Sequence, residues 1–293
     1  MRKRYECDIR KSNRPRRIIL FLSEINKHKK SNIGYCGEKV EEIYQTLKEG
    51  FVARDHGDIN FILARNSEKI IAAIGLDIDE TNAEVWGPFN QTSSVNLQYP
   101  LWEELKNENP TVQTFSFFIN KENLQQQQFM KEIKAKKTGE HLILEMKERN
   151  FDRVSKMNSV PFIESDFKAF EELHNETFPN TYYDARTIRE RLGAGNILRV
   201  LKTESNVLQG YAYYEVNPEM SEASLEYIGM SAKAQNQGLG TMMLKEALTD
   251  MFSYTQINEI TLTVKNTNSQ ANHLYMKAGF VQKDSLISYL LEL

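Results

Sequence analysis

Apolar positions along the chain set up a pattern that occurs twice. Phe118 to Glu148 and Thr263 to Leu293 are both 31 residues long and superpose without a gap at an offset of 145. Asn123 then falls on Asn268, Phe129 on Leu274 and Met130 on Tyr275. Each stretch reads as strand, turn, amphipathic helix and apolar strand. Upstream, Glu84-Val85-Trp86-Gly87-Pro88 matches Glu226-Tyr227-Ile228-Gly229-Met230 at an offset of 142. Phe61 to Leu76 and Leu198 to Tyr213 both read as two strands around a polar turn, Arg65 to Glu68 and Lys202 to Ser205. The chain is therefore expected to divide into residues 1–150 and 151–293, with the charged, turn-rich stretch Asn150 to Met157 as a linker.

In the second half the pattern predicts a strand near Val160 to Ile163. A helix follows, capped by Ser165, with Phe167, Phe170 and Leu173 at helical spacing. Next come a helix from Asp184 to Leu192 and a hairpin of Ile197 to Lys202 with Leu208 to Glu215. Ala223 to Met230 reads as a strand, Gly238 to Phe252 as a helix, Ile257 to Lys265 as a strand and Asn268 to Ala278 as a helix. One or two strands fill Val281 to Leu293. The fold class is α+β, with a mostly antiparallel sheet and one strand-loop-helix crossover.

Composition narrows the field. With 40% hydrophobic and 26% charged residues the chain can build a core. A net charge of −3 gives no field for nucleic acid, although residues 1–17 hold eight Lys or Arg. That run reads as a solvated basic terminus or, alternatively, a nucleic-acid arm. Two cysteines, Cys7 and Cys36, exclude a disulfide framework. The early apolar run Ile18 to Leu22 is too short for a signal peptide or a membrane span, so a cytoplasmic protein is expected. The five histidines show no metal-ligand spacing, and no metal is expected. Gln125 to Gln128 reads as a solvent-facing glutamine run.

The sharpest local signal is Gln235-Asn236-Gln237-Gly238-Leu239-Gly240-Thr241. It follows a strand and opens a helix whose stripe is Leu239, Met243, Ala247, Leu248 and Met251. A helix start offers unpaired N–H groups and a partial positive charge, and glycine lets an anion approach the backbone. The loop is either a pyrophosphate cradle or a tight strand-to-helix turn. It is not a P-loop, because no lysine follows Gly240. A dinucleotide fingerprint would need a third glycine where Met243 stands. A second signal runs from Val264 through Asn268, Ala271, Leu274 and Tyr275 to Gly279-Phe280. On their own, Asn268 reads as a helix N-cap and Tyr275 as a packing aromatic.

Together these two motifs resemble the GNAT superfamily of N-acetyltransferases. Its Gln/Arg-x-x-Gly-x-Gly/Ala motif matches Gln235 to Gly240. Its Asn-x-x-Ala-x-x-Leu-Tyr-x-x-x-Gly-Phe motif matches Asn268 to Phe280. The resemblance covers at least Ser165 to Leu293. It implies two GNAT-like domains, each a mostly antiparallel mixed sheet flanked by helices, with acetyl-CoA as cosubstrate and no metal. By the same resemblance the N–H groups of Gln237, Gly238, Gly240 and Thr241 bind the pyrophosphate, Gln235 and Asn236 shape the loop, and Leu239 is counted with them among the cofactor-binding residues. The pantetheine arm pairs beside Ile228 to Ser231, the N–H near Met230 polarises the thioester carbonyl, and Asn268 touches the arm. Tyr275 protonates the leaving thiolate. Glu226 is the candidate base, placed by strand alternation on the face of Met230, or else a solvated carboxylate. A glutamate that some relatives carry before Val264 is here Thr263.

The implied acceptor is the primary amine of a small molecule or peptide. His174, Asn175, Phe178, Asn180, Tyr182, Tyr183 and Asp184 lie in the loop expected to cover it, with Tyr211 and Tyr213 on one strand face; packing is the favoured role of those tyrosines. The first half lacks glycine after Phe89 and carries Met130 in place of Tyr275, so it is expected to have no CoA site and to serve as scaffold or as a wall of the acceptor cleft. Ile33 to Glu38 reads as a helix-entry turn, with a reactive Cys36 as the alternative. Three functions compete: an N-acetyltransferase, a non-catalytic acyl-CoA sensor, and a structural tandem protein. Two halves forming an intrachain pseudo-dimer are compatible with a monomer.

Overall fold

The computed structural model describes residues 8–11, 15–51, 60–92, 96–179 and 181–293. Most of the basic N-terminal run, Cys7, His56 and Asn180 lie outside them. The chain forms two compact units, Met1–His141 with Ser285–Leu293, and Leu142–Asp284.

The first unit runs β1 (Asp8–Lys11), α1 (Pro15–Asn26), α2 (Val40–Gly50), β2 (Phe61–Asn66), β3 (Lys69–Asp79) and β4 (Asn82–Asn90). It continues with α3 (Gln98–Glu108), β5 (Thr114–Asn120), α4 (Leu124–Glu132) and the start of β6 (Lys136–Lys147). Its strands lie in the order β1-β2-β3-β4-β5. All are antiparallel except β4 and β5, which pair in parallel from Asn82↔Thr114 to Glu84↔Ser116. One face buries Ile18, Ile43, Phe61 and Trp86 under α1 and α2. The other buries Leu101, Trp102, Phe115 and Phe129 under α3 and α4.

The second unit repeats this plan. After β6 come β7 (Val160–Pro161), α5 (Phe167–Thr177), α6 (Ala185–Arg191), β8 (Asn196–Lys202), β9 (Leu208–Asn217) and β10 (Glu222–Met230). Then follow α7 (Leu239–Met251), β11 (Glu259–Lys265), α8 (Ser269–Ala278) and β12 (Val281–Glu292). The strand order is β6-β11-β10-β9-β8-β7. Phe170, Ile188, Tyr211 and Tyr213 fill the α5–α6 face. Met243, Leu248, Met251 and Leu262 fill the α7–α8 face. The apolar stripe on α7 thus lies in the core, and the fold is α+β.

The offset of 145 holds at the level of elements. It carries β5 onto β11 and β6 onto β12 at both ends, and the first residue of α4 onto that of α8. Asn123 caps α4 by accepting from Gln126 N at 3.2 Å, and Asn268 caps α8 by accepting from Ala271 N at 3.1 Å. Backbone angles agree as well, φ −81° and ψ 73° against φ −82° and ψ 75°.

Several expectations change. The units do not divide at a single point after residue 150. Leu142 to Lys147 of β6 belong to the second unit, and Ser285–Leu293 return to the first. There Leu286 to Glu292 pair antiparallel with Asn120 to Thr114. Each half of the sequence therefore supplies a strand segment to the other unit, because edge pairing is set by register and not by proximity along the chain. The fourth strands are offset by 140 rather than 142, since Glu84 lies opposite Ser116 where Ser224 lies opposite Thr261. The stretch after Asn150 is pinned to α7. Val154 N donates to Thr249 Oγ1 at 3.1 Å, and the buried Glu246 carboxylate accepts from Asn158 N and Ser159 N at 2.8 Å each.

At the entry to α5 it is Asp166, not Ser165, that closes the turn. Its carboxylate accepts from Ile163 N at 3.2 Å and pairs with Lys202 Nζ at 2.6 Å. Gln126 is buried within the glutamine run, and its amide donates to Pro88 O at 3.2 Å. The Ile33 to Glu38 turn leads into α2 and is held by Asn26, which bonds both Ile33 O and Ile33 N. Cys36 is buried, and burial, Glu42 and Glu38 push its thiol pKa well up, which argues against reactivity.

Candidate functional site

β10 and β11 pair in parallel at Ser224↔Thr261. Beyond that bridge β10 stays on β9, and Ser231 N donates to Gln209 O at 2.8 Å. Successive residues of a strand direct their N–H groups to opposite edges. The N–H groups of Ile228 and Met230 therefore face away from β9, into the gap where β11 has parted.

At the end of that gap α7 begins. Asn236 and Gly238 both have left-handed backbone, φ 59° and 78°. A Cβ on Gly238 would meet no heavy atom within 4 Å, so the glycine answers to backbone angle and to the open space in front of it, not to a crowded neighbour. Gln235 and Gln237 turn their side chains back onto Met230 O (3.1 Å) and Lys233 O (2.6 Å). The first helical bond is Met242 N to Gly238 O at 3.0 Å, so the N–H groups of Leu239, Gly240 and Thr241 precede the ladder. Gly240 sits where three elements meet: its Cβ would lie 3.5 Å from Met230 Cγ and 3.7 Å from Leu274 Cδ1.

α8 brings Tyr275 to the same region. Its ring lies edge-on to Phe280, with centroids 5.8 Å apart. Burial pushes its pKa up to about 12, so the phenol carries its proton at neutral pH. Its hydroxyl has no hydrogen-bond partner among the described residues. Asn268 is exposed, and its side-chain oxygen is spent on the helix cap.

Glu226 is placed differently from expectation. A bulge between Leu225 and Tyr227 leaves it without a β9 partner. Leu225 points into the α7 core and Tyr227 into the α5 core, so alternation reverses at this residue. Ile228 and Met230 pack on the α7 face. Glu226 accepts from Ser224 Oγ and lies with the opposite face. Desolvation, and secondarily Glu215, raise its pKa, against the Ser224 bond and Arg191.

That opposite face is a polar cluster under α5 and α6. Tyr211 and Tyr213 are fully buried. His174, also buried, lies between Tyr211 Oη (2.6 Å) and Tyr183 O (2.9 Å). A carbonyl only accepts, so Nε2 carries the proton and Nδ1 receives the tyrosine hydroxyl. Burial lowers the His174 pKa, keeping the ring neutral. Tyr227 Oη accepts from Thr181 Oγ1 and from Tyr183 N at 3.1 Å. Tyr183 is thus held through both its N–H and its C=O. Arg191 and Glu215, not singled out from the sequence, join here: Arg191 Nη2 donates to Glu215 Oε1 at 2.8 Å, and Tyr213 Oη to the same oxygen at 2.6 Å. Alternation from Tyr211 through Tyr213 points to Glu215. Nothing local points to Arg191. Among the described residues no three His, Cys, Asp or Glu side chains gather as a metal site, and no helix is long and apolar enough to cross a membrane.

Residues 163–280 match the model of the acetyltransferase (GNAT) family. In fold the chain is similar to a GCN5-related N-acetyltransferase from Sphaerobacter thermophilus, with a TM-score of 0.72 at 13% identity over 98% of this chain and 95% of that one. It is similar also to a tandem GNAT protein from the clavulanic acid biosynthesis pathway, with a TM-score of 0.66 at 12% identity over 98% of both chains. A third likeness is to Saccharomyces cerevisiae N-myristoyltransferase with bound myristoyl-CoA, with a TM-score of 0.53 at 10% identity over 98% of this chain and 79% of that one.

Proposed function

We propose, from the GNAT-family domain that residues 163–280 form, that this protein is an N-acetyltransferase that moves the acetyl group of acetyl-CoA to a primary amine by direct attack in a ternary complex. The observation that carries this reading is the parting of β10 from β11 beside the Gly238 turn. It leaves a strand edge and a helix start, both with N–H groups on offer, beside α8, whose Leu274 reaches Gly240 and whose next residue is the protonated Tyr275.

The residues fit the cosubstrate. An extended amide-bearing arm suits the Ile228–Ser231 edge, and a pyrophosphate suits the first turn of α7, where helix charge and the N–H groups of Gln237, Gly238, Leu239, Gly240 and Thr241 converge. Gln235 and Asn236 set the shape of that turn, and Asn268 has its amide nitrogen left for the arm. Acetyl-CoA supplies an activated acetyl thioester. Met230 N–H stabilises negative charge developing on the carbonyl oxygen. Glu226, with its raised pKa, takes the proton that the attacking amine must lose, directly or through water. Tyr275 gives its proton to the departing sulfur.

Calorimetry and a thiol-release assay test this together. One acetyl-CoA should bind per chain, and free thiol should appear only when a suitable amine is present. Because Glu226 acts ionised, kcat/KM should rise with pH through a value above the ordinary glutamate range, and Glu226→Gln should remove that limb. Tight binding without turnover across a broad amine library would make the protein a sensor. Absence of binding would remove the reading altogether.

A further inference from the structure

In the N-acetyltransferase reading, on which this inference rests, the Gly229–Met230 peptide carries the N–H that faces the thioester. In a trans peptide the C=O and N–H point in opposite directions, so this N–H faces the gap while Gly229 O faces β9. Across the two strands Gly210 lies opposite Met230, and Tyr211 lies opposite Gly229. Each pair joins a glycine to a long side chain, the first on the α7 face and the second on the α5 face.

Both glycines permit close approach. A Cβ on Gly210 would lie 2.4 Å from Met230 Sδ and 2.8 Å from Gly229 O. A Cβ on Gly229 would lie 2.6 Å from Tyr211 Cε1. Neither glycine has left-handed backbone, so space and not backbone angle excludes a side chain. The Tyr211 ring is itself fixed, by the His174 bond at 2.6 Å and by an edge contact with Phe170 at 4.9 Å between centroids. The plan of the sheet does not demand this arrangement. In the first unit, at the offset of 140, Ala72 lies opposite Asn90 and Ala73 opposite Phe89.

We propose that Gly210 and Tyr211 are positioning residues for acyl transfer: together they set the plane of the Gly229–Met230 peptide and so the direction of its N–H. Gly210 leaves room for Gly229 O close to β9, and the Tyr211 ring bears on Gly229 from the other face. A donor to a developing oxyanion works best when it is fixed beforehand where the charge appears. A side chain at position 210 presses on the carbonyl end of this peptide and turns its N–H. Loss of the ring at position 211 frees the peptide from the opposite side.

Thiol release and the infrared band of acetyl-CoA isotope-labelled at the acetyl carbonyl test this. Gly210→Ala and Tyr211→Leu should each lower kcat by about tenfold to 10²-fold, with Kd for acetyl-CoA within about threefold of the parent. Both should move the bound carbonyl band to higher frequency, because a misdirected N–H polarises the C=O less. Tyr211→Phe keeps the ring, so kcat should stay within about fivefold of the parent. Gly195→Ala controls for crowding alone: its Cβ would lie 2.6 Å from Val216 O, elsewhere on β9. It should lower thermal stability and leave kcat and the band in place. Gly210→Ala and Tyr211→Leu disturb the peptide from opposite sides, so either one, shown to be folded by circular dichroism, decides the matter. Parental kcat and band in such a variant would overturn the inference, as would a Gly195→Ala that loses kcat equally. A parent that neither binds acetyl-CoA nor releases thiol with any amine overturns the acetyltransferase reading instead.

Discussion

The two units share one plan and differ at the points where the second could hold a CoA ester. In the second unit the fourth strand offers the Ile228 N–H to the gap. In the first, the offset of 140 puts Pro88 there, which has no N–H, and the Gln126 side chain occupies Pro88 O. The cap of α7 is an exposed, left-handed Gly238. The cap of α3 is a buried right-handed Leu97, and Asn96 already takes the Gln98 N–H at 3.1 Å. Tyr275 is half-buried with a protonated hydroxyl, whereas Met130 is wholly buried. The two units share an element plan, but the open N–H groups and the phenol of the second have no counterpart at the matching positions of the first. A fold of this kind can therefore lose its site while keeping its architecture.

Making the second unit resemble the first at single positions tests that comparison. The largest effect is expected from Tyr275→Phe. If the hydroxyl serves as general acid, kcat should fall by about 10²–10⁴-fold with acetyl-CoA affinity nearly unchanged. An unaltered kcat, where chemistry limits turnover, would reduce Tyr275 to the packing role that Met130 has. Next is Gly238→Leu, which installs the residue of the first unit. It strains a backbone at φ 78° and fills the space before the helix. Losing two charge-assisted hydrogen bonds at roughly 1.5 kcal/mol or more each should weaken acetyl-CoA binding by about 10²-fold, with the circular dichroism spectrum retained. A folded variant that binds normally would show that the phosphate lies elsewhere. The smallest effect belongs to Ala271→Gln, the counterpart of Gln126. A side chain reaching the β10 edge should cost about tenfold in affinity by competing with the arm, and titration showing no loss would mean that Gln126 fills nothing functional.

Much of this was legible in the chain because it rests on local signals. The offset of 145 held at strand ends, since caps such as Asn123 and Asn268 depend on residues three positions away. The glycine turn and the α7 stripe were visible for the same reason. The rest is set by contacts between residues far apart in the sequence. The bulge at Glu226 depends on β9, and it moved the carboxylate to the face opposite Met230. Asp166 displaced Ser165 at the helix entry because Lys202 waits on another strand. The supposed linker is fixed by a carboxylate on α7 that no spacing rule connects to it. Arg191 could be read only as a surface arginine until its partners on β9 were in place.

The exchange of strand segments has a consequence for descent. If the two halves arose by duplication, each inherited a complete set of elements, yet neither folded unit is encoded by one half. Leu142 to Lys147 finish the second sheet and Ser285–Leu293 finish the first. A lineage that discarded residues 1–150 would strip Leu142 to Lys147 from the second unit's sheet. Keeping residues 1–150 therefore keeps the second unit's sheet complete, whatever the first unit itself binds.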